Sequence, residues 1–108
     1  MAIDWSSVGS SVEQAVAAVV GADWRIVAPA AKAQITALVE TAQAIEADKD
    51  NMSAAEYNGL RLSQQRALEG VLAAYAAVSI VVAEQAAAAA WNVVAQALKA
   101  AYPALSFL

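Results

Sequence analysis

The sequence predicts an all-α protein: a helical hairpin or bundle with a long C-terminal helix, packed as an oligomer. Alanine, the strongest helix former, accounts for 31 of the 108 residues. Serine-led capping signals stand where helices would begin, and β-branched residues never run in long alternating stretches. The charges are also uneven. Fourteen of the sixteen charged residues fall at or before Glu69, leaving Glu84 and Lys99 alone in residues 70–108. A segment that poor in charge needs to be covered by something.

The first helix is predicted over about 11–20. Ser10 and Glu13 have the spacing of a capping box, in which a hydroxyl and a carboxylate satisfy free amides at a helix start. Gly21 supplies a left-handed stop. The following ADWRIVA reads as a helical turn or a connector. Pro29 suits the first turn of a second helix over 29–47, because proline has no amide hydrogen to lose there. Asp48, Lys49, Asp50 and Asn51 then form a polar turn. Ser53 and Glu56 make a second capping box, and nothing forbids helix from there to Pro103, since Gly59 and Gly70 weaken a helix without ending it. A single helix over 54–101 would extend roughly 70 Å. Either it breaks near Gly70, or the protein is elongated and buries it against other copies.

The second helix carries a core seam of Ala28, Ala31, Ile35, Leu38, Ala42 and Ile45, at alternating three- and four-residue spacing. The third is apolar almost all round between 71 and 83, so protein or lipid must surround it. Leu68, Val71, Leu72, Tyr75, Val78, Val82 and Trp91 are therefore expected to form an oligomer interface. Beyond Glu84, Gln85, Asn92, Gln96 and Lys99 align as one narrow polar stripe, either the lumen of a ring of identical helices or the exposed edge of a hairpin. The apolar run before Glu84 is about fourteen residues, short of the roughly twenty that cross a bilayer.

Composition argues against most chemistry. The chain has no cysteine and no histidine, so thiolate and imidazole metal sites and the commonest general base are absent. The net charge of −4 disfavours a nucleic-acid surface, which needs clustered cations. Glu46, Asp48, Asp50 and Asn51 superficially resemble a calcium loop, but the required glycine is missing and Lys49 interrupts the cluster. No phosphate-binding glycine motif occurs. MAIDWSSVGSS lacks a basic start and an apolar stretch, so no signal peptide is expected. Trp5, Trp24 and Trp91 are expected as core anchors, and the apolar ending AYPALSFL is expected to dock on a neighbouring subunit. No enzyme, cofactor or metal is predicted.

The polar start MAIDWSSVGSSVEQ, the capped helices and the uniform apolar stretch 70–98 resemble the small, alanine-rich, cysteine-free helical proteins that tailed bacteriophages encode among their structural genes. That resemblance implies a non-enzymatic virion component or its cytoplasmic assembly intermediate, homo-oligomeric and in contact with other virion proteins. Its alternative is a membrane-associated channel or pore subunit. The central turn DKDNM lacks the Trp-x-Gly of type VII secretion hairpins.

Overall fold

The computed structural model describes residues 2–108, which form four α-helices in up-down-up-down order; no strand occurs among the described residues. Helix α1 spans Trp5–Val20, α2 Trp24–Asp48, α3 Ala54–Ala73 and α4 Ile80–Ala101, with 3₁₀ turns at Gly21–Asp23 and Lys49–Asn51. Contacts between chain-distant residues establish the directions. Trp5 meets Glu46, making α1 and α2 antiparallel, and Tyr57, near the start of α3, meets Phe107, beyond the end of α4, making α3 and α4 antiparallel. Helix α1 packs most extensively on α4, which closes the ring of four. The radius of gyration is 13.7 Å. That is the value expected of a compact chain this long.

Local chemistry explains three of the four helix starts. Asp4 caps α1, its carboxylate accepting from the Ser7 amide at 3.2 Å. The helix thus begins six residues before the predicted start, and Ser10 and Glu13 lie inside it. Aspartate is among the best N-caps, and an earlier cap adds a turn that brings Val8 and Trp5 onto the core. Gly21 ends α1 as predicted, at φ 77°. A side chain there would be strained, which is why glycine holds the position. Ser53 and Glu56 form the predicted capping box, each satisfying the other's amide. Ser79 caps α4 by accepting from the Val82 amide at 3.1 Å.

Helix α2 starts at Trp24, so Pro29 lies inside it instead of opening it. The missing Pro29 amide costs one bond to the Arg25 carbonyl. Both residues are exposed, which leaves that carbonyl accessible to water.

The predicted single helix over 54–101 is two helices, divided by residues 74–79. Gly70 remains helical. Alanines 73, 74, 76 and 77 all favour helix, so the break is imposed by tertiary packing. Amides of Tyr75 and Val78 bond back to the carbonyls of Leu72 and Tyr75, and Val78 tucks into the core at 6% exposure. Folding back lets α1 and α3 cover α4. The chain thus supplies internally the burial that an elongated helix would have sought from other copies.

The core is a single cluster. The predicted α2 seam is buried at Ala31, Ile35, Leu38, Ala42 and Ile45, with Val27 and Val39 added and Ala28 half-buried. Helix α4 contributes Ala83, Ala86, Ala87 and Ala90 beside Trp91, Val94 and Leu98. The C-terminal tail docks on its own chain: Phe107 is buried, its ring 4.9 Å from that of Tyr57.

Candidate functional site

The topology brings the α1–α2 and α3–α4 connections to one end of the bundle. Five large apolar side chains are exposed among the described residues, and the three most exposed lie at this end: Ile80 at 66%, Val81 at 62% and Ile26 at 54%. Around them Ala22, Ala73, Ala74, Ala76 and Ala77 are also exposed. Residues 70–83 carry no charge. The nearest charges in sequence are Asp23 and Arg25 beside Ile26, and Glu84 one turn below Ile80 on α4. A small domain exposes scattered apolar side chains as a matter of course, but the gathering of the three most exposed ones at a single uncharged end marks a candidate contact surface.

The residues expected to form the oligomer interface divide into two groups. Leu68, Leu72, Val78 and Trp91 are buried within the chain's own core, because the turn at 74–79 lays α4 against α3 and α1. Val71, Tyr75 and Val82 are only half-buried and border the uncharged end. The expected lumen stripe of Gln85, Asn92, Gln96 and Lys99 is exposed throughout, on the outward face of α4, and Glu84 is exposed with it. Among the described residues no helix is long and apolar enough to cross a membrane.

Sequence periodicity over a continuous helix could not separate these groups. The one sequence signal for the break is Ser79, the only serine between Ser63 and Ser106, standing where a cap is needed.

The opposite end is polar and held by Glu46. One carboxylate oxygen accepts from the Trp5 indole N–H at 2.9 Å, and the other accepts from the Tyr102 hydroxyl, so α1, α2 and the end of α4 converge on a single side chain. Lys49 lies 4.7 Å above the Tyr102 ring. The Tyr102 hydrogen bond is the main reason that the Glu46 pKa lies below the usual carboxylate range. Partial burial opposes it, while the Trp5 bond and the Lys49 charge assist. The same bond raises the Tyr102 pKa.

A depressed carboxylate pKa contributes stability above the unfolded value of about 4.3, and that contribution is lost as pH falls through the folded value. Glu46→Gln is therefore expected to be less stable than wild type at pH 7, with the gap closing below about pH 4. Thermal melts from neutral to acid pH measure this; a gap that is constant with pH would exclude ionisation of Glu46 as its source.

No group of three or more Asp, Glu, His or Cys among the described residues could hold a metal ion. Asp50 belongs to the 3₁₀ turn that follows α2, and no serine–histidine or thiol arrangement is available in this composition. The chain matches no protein family, no curated protein and no solved structure.

Proposed function

We propose that this chain is a non-enzymatic assembly protein that self-associates through the uncharged end of its bundle. The observation that carries this reading is the exposure of Ile80, Val81 and Ile26 together at one end. Val71, Tyr75 and Val82 extend the same surface and retain the intermolecular role expected of them, whereas Leu68, Leu72, Val78 and Trp91 support it from within. The resemblance to alanine-rich virion proteins supports a place in a phage particle, with other virion proteins as further partners.

Burying Ile80 and Val81 is worth about 1.5–3 kcal/mol each when complete. Ile80→Ser with Val81→Ser is therefore expected to weaken self-association by roughly a hundredfold, at about tenfold per 1.4 kcal/mol. The substituted side chains are exposed, so helicity and melting temperature should change little. Light scattering on size-exclusion fractions across a concentration series measures the mass. A wild-type protein that stays monomeric at every concentration, or a double variant that associates like wild type, would sink the proposal. Leu62→Ser, at an exposed site on α3, is the control and should leave the mass unchanged.

A second reading follows from the lack of charge over 70–83. The same end could rest shallowly in a bilayer, with α4 outside it, a membrane contact narrower than the channel anticipated from sequence. A lumen lined by Gln85, Asn92, Gln96 and Lys99 would require separate chains to bring their outward α4 faces together. Co-flotation of wild type with neutral phosphatidylcholine vesicles, abolished in the double variant, would favour this reading over self-association.

A further inference from the structure

On the flank of the bundle, away from the uncharged end, α1 and α2 do not close on one another. The reason lies in the side chains that α1 turns toward α2. Gly9 provides none, and a methyl group built there would meet only Val39 Cγ2, at 4.0 Å. Of the other α1 residues at this flank, Ser6, Ser10 and Glu13 are small or polar, and only Trp5 is bulky. A groove of about 450 Å³ results. That volume is typical of a small-molecule site.

Its lining is sharply divided by chemistry. Ile35 and Val39 are buried side chains at the apolar side of the groove, and Trp5 supplies an aromatic one. Glu13 on α1 and Glu40 on α2 bring two carboxylates to the same opening, and no lysine or arginine lines it. The hydroxyls around it can accept as well. Thr36 donates its proton to the Lys32 carbonyl at 3.0 Å, leaving its lone pairs free. Lys32 lines a smaller adjoining recess nearer Trp24, which shares Ser10 and Glu13 with the groove. Trp5 is not a loose aromatic, because its indole N–H is tied to Glu46 at 2.9 Å and Glu46 is tied in turn to Tyr102.

We propose that this groove binds a primary arylalkylammonium, its ring against Trp5 and Val39 and its ammonium between Glu13 and Glu40. An ammonium group offers three hydrogen-bond donors and no acceptor, which matches a lining with two carboxylates and no lysine or arginine of its own. Hydrogen bonds from a cation to a carboxylate are about twice as strong as neutral ones. The volume admits one aromatic ring and a short chain, but not a helix about 10 Å across. The proposal is independent of the uncharged end and of any assembly there.

The test is a titration with 2-phenylethylammonium, followed by the amide and indole resonances of ¹⁵N-labelled protein. Saturable shifts are expected at the Trp5 indole N–H and at the amides of Gly9, Glu13 and Glu40. Glu13→Gln combined with Glu40→Gln should weaken binding at least tenfold. So should replacing the probe by 2-phenylethanol, which keeps the ring and loses the charge. Both carboxylates are at least partly exposed, so the double variant should keep its fold, and unchanged shifts elsewhere would verify this. Equal binding of the alcohol, equal binding by the double variant, or no saturable shift at Trp5 would each overturn the proposal. Shifts that follow protein concentration instead of probe would also overturn it, and would assign the groove to a contact between copies.

Discussion

Trp91→Ala is expected to cost about 3–5 kcal/mol of stability, the usual range for deleting a buried aromatic. Trp91 is 3% exposed and lies where α3, α4 and the C-terminal tail meet. Its indole N–H donates to the Tyr57 hydroxyl at 2.9 Å, and the two rings sit 6.0 Å apart in a tilted arrangement. Phe107 also packs on Tyr57, its ring centroid 4.9 Å away. Three of the chain's seven aromatic residues are committed to this cluster, so little other bulk can move in to fill the void. Domains of this size have total stabilities of about 5–15 kcal/mol, and the loss would remove a large share of that. The melting temperature should fall by more than roughly 10 °C. Denaturant unfolding followed by circular dichroism gives the value directly. Tyr57→Phe separates packing from hydrogen bonding: it keeps the ring but leaves a buried indole N–H without its acceptor, at about 1–3 kcal/mol. A loss below about 1 kcal/mol for Trp91→Ala would mean that the aromatic cluster is not part of the cooperative core.

The fold class was legible because it depends on local signals that the sequence states outright. The Ser53 and Glu56 box, the Gly21 stop and the α2 seam stand where the spacing puts them. The start of α1 lies earlier than the Ser10 and Glu13 spacing predicts because two capping signals compete, and the better-placed Asp4 extends the helix. The break at 74–79 was the hardest feature to see. Every residue there except Ser79 is compatible with helix, and only the packing of Val78, Leu72 and α4 against the remaining helices decides against continuation. That one misplacement carried into the site. With a straight helix, Leu68, Leu72 and Trp91 needed partners from other copies. Folded back, they have partners in the chain, and the surface left to the outside shifts to Ile80, Val81 and Ile26; of these, Val81 belongs to an apolar stripe of the straight helix, while periodicity marks neither Ile80 nor Ile26. The α1–α2 groove was invisible for another reason. It is a consequence of what α1 lacks at Gly9, and an absent side chain signals nothing until its neighbour across the groove is known.

The alanine content then takes on a definite structural role, which a second substitution can expose. Ala83, Ala86, Ala87 and Ala90 line the buried side of α4 with almost no exposure, and α1 and α4 form the most extensive helix pair. Small side chains let backbones approach closely, at the cost of any tolerance for added volume. Ala90→Leu should therefore destabilise by about 1–3 kcal/mol, through strained rotamers or displacement of α4. Helix propensity cannot be the cause, because leucine is nearly as good a helix former as alanine. Ala88 provides the internal comparison: it sits two residues away on the exposed side of the same helix, and Ala88→Leu should change stability by less than about 0.5 kcal/mol. Parallel denaturation of the two variants isolates the effect of facing inward. Equal stabilities would show that α4 can move outward without loss. Its alanines would then reflect composition alone, and the tight α1–α4 contact would not be a source of the fold's stability.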